Sequence, residues 1–583
     1  MFKDERFKSV SANDLKRDII AGITVGIVAM PLGMAFAIAS GVKPEYGLYT
    51  TIIAGFLVAL FGGSKFQIAG PTGAFIPILL AIVLEHGYEN LLIAGFLAGI
   101  MLIIMGIFKL GKLIKYIPRS VTIGFTSGIA VIIFSGQIGN FLGLEELEKK
   151  QYFHENMIQI AQNISTINWY SILTALIGLV VIIFIPKLFP RVPVLLAALL
   201  LPTVIAVLFY PTQVATIGTV FGGIPQSLPG LHFPNITWEK IVVLLQPAFV
   251  IAMLGGIESL LSAVVSDGMT GTRHHSNREL IGQGIANIVT PLFGGIPATG
   301  AIARTATNIK SGAVSPYSGI FQSIFVLITL LLFAPYASSI PLASMAPILM
   351  VVAYNMSEYK SFTHILKLRS SDSLVLVTTF LLTVFVNLTV AVQIGLLLAM
   401  VSFIKRMSEV LQVRRVIPDM MKETTNDRNF ESLTSVCPQL SFYTIAGPLF
   451  FGAADKFESI ITRSINKRPT ALILKMKHVS TLDATGAANL DSLVTDFNNI
   501  GGITIISEAN DDVLEMLQIS GLYDKIGAEN IFKRSEDAVN YGLQLIQVSK
   551  CSICAKEKRN TCKAFRESSD LLEVTEGIKY PNR

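Results

Sequence analysis

Apolar runs of roughly 17 to 25 residues recur along the chain from about residue 17 to 411, each long enough to cross a hydrocarbon core of ~30 Å as a helix. They begin near residues 18, 44, 66, 89, 119, 168, 193, 241, 280, 297, 316, 338, 372 and 391, which predicts about fourteen membrane spans. Beyond them the pattern changes. Leu472 to Met476 and Ile503 to Ser507 have the length of short buried strands, whereas Asp512 to Gln518 and Ser535 to Ile546 carry helical apolar spacing. Strands alternating with helices predict a cytosolic α/β layer. The expected division is a cytosolic N-terminal segment at 1–16, a transmembrane domain at 17–411 with halves at about 17–210 and 240–411, a linker at 412–429, an α/β domain at 430–548 and a basic, cysteine-containing tail at 549–583. Residues 1–17 are polar and lack the apolar stretch and cleavage site of a signal peptide, so they are expected to stay on the protein.

Composition agrees with a bilayer protein: 52% of the 583 residues are hydrophobic and 15% charged, against about 25% charged in soluble domains. The net charge of +6 follows from basic cytoplasmic loops and the basic tail, and no aromatic or helical pattern makes it a nucleic-acid surface. Loop charges orient the spans, because Lys and Arg concentrate in short cytoplasmic loops. With the N-terminus inside, those loops hold Lys109, Lys112, Lys115 and Arg119, then Lys187 and Arg191, then Arg273 and Arg278, then Lys360, Lys367 and Arg369. The long opposite loop near 139–167 sets Glu145, Glu146 and Glu148 against Lys149 and Lys150. Both termini are then cytoplasmic, the protein sits in the cell membrane, and two halves of seven spans must be inverted relative to each other.

One short pattern occurs twice. Leu60-Phe61-Gly62-Gly63 precedes Thr72-Gly73-Ala74, and Leu292-Phe293-Gly294-Gly295 precedes Thr299-Gly300-Ala301, with Pro71 and Pro297 just ahead of each Thr-Gly-Ala. Extended backbone that turns into a helix inside the membrane is expected at both places, making the third and tenth spans broken. Broken helices at matching positions of two halves point to a transport site. If the halves are inverted, the two helix starts face each other near the midplane, and their free N–H groups and positive dipole ends suit an anion. A second reading remains, in which the small residues only let helices pack closely.

Two clearly charged side chains lie well inside the proposed spans, Glu258 and Arg304, and ionisable residues at that depth are functional candidates. Arg304 falls about one turn into the tenth span, where a permanent cation adds field to an anion pocket. Glu258 is a candidate to carry a proton, or to stay ionised and hold sodium with oxygens such as those of Ser259 or Ser262. A structural ion pair between Glu258 and Arg304 is the plainer alternative. The spans contain no nucleophile and base pair, metal cluster or phosphate loop, so an enzyme is not expected, nor a cofactor.

Pro44-Glu45-Tyr46-Gly47-Leu48-Tyr49, continuing through Leu60-Phe61-Gly62-Gly63-Ser64-Lys65 to Gly70-Pro71-Thr72-Gly73, with Arg304-Thr305 after the second repeat, resembles the SulP family of anion transporters. The resemblance runs through about residue 548. It implies a polytopic α-helical fold of seven plus seven inverted spans, a core from spans 1–4 and 8–11, a gate from the rest, elevator-like alternating access, a homodimer and a C-terminal STAS domain. It also implies a small anion as substrate, sulfate, bicarbonate or a dicarboxylate. Sodium-coupled members tend to have Asp at the Glu258 position and a hydroxyl residue near Ile302, so Glu258 and Ile302 favour proton symport over sodium-driven bicarbonate uptake. An anion sensor or scaffold that signals through the STAS domain is the reading from a different class.

In the soluble part, Asp483-Ala484-Thr485-Gly486 resembles a loop phosphorylated in anti-sigma antagonist relatives of STAS, which makes Asp483 and Thr485 regulatory candidates and leaves room for a cytosolic partner. A Thr at a helix start is also an ordinary cap. Cys551, Cys554 and Cys562 form C-x2-C-x7-C, but a closed zinc site needs four ligands, and the fourth would have to come from Cys437, another chain or a nonprotein ligand. Reduced thiols and no metal are expected. His274-His275 is expected in a solvated loop.

Overall fold

The computed structural model describes residues 4–7, 10–112, 117–189, 192–227, 229–415, 439–453, 457 and 469–545. Lys115, Arg191, all four cysteines, linker residues 416–429 and the tail lie outside the described residues. The chain divides into two compact units, Met1–Ala399 and Met400–Arg583. The division falls inside a helix, some residues before the boundary expected at 411.

The first unit is helical. Its first half comprises α1 (Ala12–Ala39), α2 (Pro44–Phe61), β1 (Ala69–Gly70), a 3-10 turn Gly73–Phe75 leading into α3 (Ile76–His86), α4 (Tyr88–Ile107), α5 (Arg119–Gly136), α6 (Ile138–Leu142), α7 (Phe153–Gln162), α8 (Trp169–Leu188), α9 (Val194–Phe209) and α10 (Ile217–Phe221). The second comprises α11 (Trp238–Thr270), α12 (Ser276–Leu292), β2 (Thr299–Gly300), α13 (Ile302–Lys310), α14 (Tyr317–Ala337), α15 (Leu342–Met356), α16 (Tyr359–Lys367), α17 (Ser371–Phe385) and α18 (Leu388–Val410). Each predicted span has a helix or broken helix near it. Among the described residues eight helices are both long and apolar enough to cross a bilayer, and Gly73–His86, Val194–Phe209 and Ser371–Phe385 are shorter apolar ones.

Local chemistry sets the helix ends. Ser11 and Asp14 form a reciprocal cap on α1, Pro44 opens α2 where its missing N–H costs nothing, and Thr237 caps α11. Buried charges close others: the Asp18 carboxylate accepts from the N–H of Val314 (2.7 Å) and Ser315 (3.1 Å), and the Glu279 carboxylate from those of Gly63 (2.7 Å) and Ser64 (3.1 Å). Arg6 donates to the Leu60 carbonyl in the last turn of α2 and to the Ser64 carbonyl past its end. His274 corrects the expectation of a solvated loop. Its side chain is buried, with Nδ1 2.7 Å from Asp267 Oδ2 and Nε2 2.9 Å from Ser276 Oγ. The partner lies seven residues back along the chain, a separation that inspection of immediate neighbours misses.

The second unit holds a five-stranded sheet of order β3-β4-β5-β6-β7, from β3 (Gln412–Arg415), β4 (Leu440–Ala446), β5 (Ala471–His478), β6 (Ile503–Ser507) and β7 (Ile531–Phe532). β3 pairs antiparallel with β4 and the remaining pairs are parallel. Helices Ala484–Asn499, Asp511–Ile519, Leu522–Ile526 and Ser535–Gln544 cover the sheet, so β5 is buried through Ala471–Leu474. The predicted strands and helices lie at these places. Parallel strands covered on both faces read as continuous apolar runs, which is why they were legible.

Candidate functional site

The residues leading into the first Thr-Gly-Ala meet the second. β1 and β2 pair antiparallel, Ala69 opposite Gly300 and Gly70 opposite Thr299, and the Ala301 N–H extends the pairing to the Ile68 carbonyl at 2.9 Å. Pro71 and Pro297 favour extended backbone around them. Because the strands run in opposite directions, the helices that follow, Gly73–His86 and α13, leave in opposite directions. Their first-turn N–H groups at Gly73, Ala74, Ile302 and Ala303 have no acceptor within the helix. The Thr299–Ala301 donors are more committed than expected, since Gly300 N–H donates to Ser259 Oγ at 3.0 Å as well.

Side chains replace the interrupted ladder, as a bilayer interior demands. The Asn287 amide closes both hydrogen bonds with the Ala298 backbone at 2.8 Å, Ser259 Oγ lies 2.8 Å from Thr299 Oγ1, and Gln67 Nε2 donates to the Ser259 carbonyl at 2.9 Å. Thr305 Oγ1 receives the Ile68 N–H and the Ser262 hydroxyl, both at 3.1 Å. Ser259 and Ser262, expected beside a coupling ion, are thus engaged with the broken segments. Glu258 finds its partner elsewhere: Thr72 Oγ1 donates to Glu258 Oε2 at 3.0 Å.

Arg304, 2% exposed, donates through Nη2 to the Pro71 carbonyl, while its Nη1 has no hydrogen-bond partner. Gly70 has φ of 156°, and a Cβ there would strike the guanidinium. A Cβ on Gly300 would overlap the Gln67 amide. Both glycines permit a cation and a packed amide against bare backbone.

Thr72–Ala74, Glu258 and Gly300–Arg304 line one cavity of about 330 Å³. The sequence reading missed its other wall, formed by Leu32 and Phe36 of α1, Thr126 of α5, Val352, Asn355 and Met356 of α15, and Glu358 two residues past its end. Asn355 and Glu358 carried a faint signal as polar residues closing an apolar run; Thr126 is one of many small polar residues in the spans, and the rest are apolar among many apolar positions. The cavity combines a buried cation with a spare donor, two helix starts and two carboxyl groups, Glu258 and Glu358. That set suits a small anion together with a cation or proton. In the second unit, Asp483 rather than Thr485 caps its helix, accepting from Gly486 N–H at 2.7 Å and Phe451 N–H at 3.1 Å, and Thr485 is exposed. Among the described residues no group of three His, Cys, Asp or Glu could hold a metal.

A polytopic helical unit with crossed broken helices, followed by an α/β unit, defines the class of membrane transporter carrying a STAS domain. Residues 15–379 match the Sulfate permease family and residues 434–538 the STAS domain, so the chain belongs to the sulfate permease (SulP) family. It is 52% identical over 532 residues to "Putative sulfate transporter YvdB" of Bacillus subtilis (strain 168), covering 91% of this chain and 98% of that one. It is 33% identical over 501 residues to the bicarbonate transporter BicA of Picosynechococcus sp. (strain ATCC 27264 / PCC 7002 / PR-6), covering 82% and 86%. Among solved structures it is similar in fold to SLC26A9, with a TM-score of 0.80, 17% identity and 92% of each chain covered.

Proposed function

We propose that this protein is a secondary active transporter that carries a small anion across the cytoplasmic membrane by proton symport, with Thr72–Ala74, Gly300, Ala301 and Arg304 as the binding walls and Thr299 behind them, bonded to Ser259 and the Gly255 carbonyl. The observation that carries the reading is the Thr72–Glu258 hydrogen bond in the cavity that also holds the spare Nη1 of Arg304. While Glu258 is ionised, its carboxylate occupies the Thr72 hydroxyl. A proton on Glu258 turns the carboxyl into a donor, frees the Thr72 hydroxyl to donate to the anion and removes a negative charge from the pocket. Proton and anion then bind cooperatively, each raising the other's affinity by the same factor.

The names of the relatives, for sulfate and bicarbonate transport, support an oxyanion substrate. Sodium coupling would need further oxygens at Glu258, and Ser259 and Ser262 make their hydrogen bonds to Thr299, Gly300 and Thr305 instead. The antiparallel β1–β2 pair favours the inverted seven-plus-seven arrangement. In this reading the protein works as a homodimer with both termini cytoplasmic, α1–α4 and α11–α14 slide as an elevator core against the remaining helices, and the STAS domain regulates through the Asp483–Thr485 loop.

Uptake of labelled sulfate into proteoliposomes, competed by bicarbonate and fumarate, tests the assignment. Concentrative uptake under an inward proton gradient is expected. Binding without net flux would favour an anion sensor, and uptake that needs sodium and ignores the proton gradient would favour sodium coupling.

A further inference from the structure

The segment between α6 and α7 carries Lys149, whose Nζ donates a 2.5 Å hydrogen bond to the carbonyl of Ile38 in the last turn of α1. That turn has no basic residue of its own, and a cation at a helix C-terminus meets the negative end of the dipole. Lys149 makes no ion pair among the described residues. The neighbouring Glu148 is held by Lys150 at 2.6 Å. Around the bond lies the larger cavity of about 640 Å³, walled by Ile38 of α1 on one side and by Asn140, Asn156, Ser171 and Ala343 of α6, α7, α8 and α15 on the other. In the alternating-access reading above, on which this inference rests, α1 belongs to the sliding core and the other walls to the gate.

We propose that Lys149 is an outer latch: it fastens the end of α1 to the gate in the state seen here and must release the Ile38 carbonyl before the core can slide. A displacement of a few ångströms exceeds hydrogen-bond reach, so the bond cannot survive the movement. Because the bond is charge-assisted, its strength depends on the ammonium form. Burial alone pushes the Lys149 ammonium down to about 8. The charged groups sharing its cavity are Glu145, Glu146 and Glu148 of its own segment, while the cavity walls from α1, α6, α7, α8 and α15 bring none. Raising the pH through that value removes the proton and loosens the latch.

The test uses the full chain in proteoliposomes with Cys437, Cys551, Cys554 and Cys562 changed to Ser and Val352→Cys placed in the wall of the anion cavity. A membrane-impermeant maleimide added outside reports how often that wall opens outward, and calorimetric sulfate binding reports folding. At pH 7 Lys149→Met is expected to raise the outside labelling rate several-fold with sulfate affinity unchanged and Lys149→Arg to match the parent, and the ratio of parent to Lys149→Arg labelling, which cancels the thiol's own ionisation, to rise as external pH goes from about 7 to 9. Parental labelling in Lys149→Met with normal sulfate affinity overturns the latch. If Lys149→Met loses sulfate binding, the ratio of parent to Lys149→Arg labelling across the pH series decides, and a flat ratio overturns the latch. Labelling from the inside only, in every variant and alongside normal sulfate uptake, overturns the alternating-access reading and the latch with it.

Discussion

The membrane unit buries Arg6, Asp18, Glu45, Glu279 and Arg304, whereas the buried polar side chains described in the STAS unit, Ser441, Thr504, Ser507, Asn530 and Ser535, are all neutral. The membrane charges fall into two kinds. Asp18, Glu279 and Arg6 are met by backbone groups at helix and loop ends, while Glu45, in the first turn of α2 against the positive end of its dipole, keeps Oε2 without a hydrogen-bond partner but lines neither cavity described above. Arg304 keeps one nitrogen unmatched beside the broken helices. A buried charge that the fold saturates is architecture, and one that it leaves partly unsaturated in a cavity is available to a ligand. The STAS unit, closed around Leu472, Leu474, Leu490 and Ile506, needs neither device.

Arg304→Gln should break this comparison most visibly. Losing a buried, hydrogen-bonded charge costs roughly 3 kcal/mol, about a hundredfold in sulfate Kd, with the thermal midpoint little changed. Asp18→Asn should do the reverse, lowering the midpoint while sulfate affinity, measured by calorimetry, holds. A thermal loss in Arg304→Gln with normal affinity would place Arg304 among the architectural charges.

A smaller effect is expected in the STAS unit. Asp483→Ala removes the cap on Gly486 and should destabilise that unit by about 1 kcal/mol in denaturant unfolding, leaving sulfate affinity unchanged. The smallest effect concerns acid. Burial works against the Glu508 carboxylate, but the Ser535 hydroxyl and the Lys475 ammonium, 3.1 Å away, outweigh it and hold its pKa below the ordinary carboxylate value. Stability from this group is present above the unfolded pKa of about 4.3 and is lost as pH falls through the lower folded value. Glu508→Gln should therefore flatten the acid side of the STAS unit's stability profile, and an unchanged acid limb would show the group to be unlinked.

The repeated Thr-Gly-Ala, the lone Glu258 and the lone Arg304 were legible because glycine, proline and charge are conspicuous in apolar spans. The strands β1 and β2 were not, since two residues are too few for any periodicity, and what pairs them lies more than two hundred residues apart. A separation of 186 residues hid the Thr72–Glu258 bond, and proximity along α11 made Ser259 and Ser262 look like partners of Glu258. Sequence spacing reports neighbours on one helix, while the site is built across helices. In the STAS unit the cap was placed on Thr485, although Asp483 has the β-region backbone a capping residue needs.

The central claim is that Glu258 couples the proton to the anion. Its most direct test is sulfate uptake into proteoliposomes under an inward pH gradient, comparing the parent with Glu258→Gln and running sulfate–sulfate exchange alongside. The account predicts concentrative uptake by the parent, none by Glu258→Gln, and exchange that persists in both. Gradient-driven accumulation by Glu258→Gln at the parental level would contradict it.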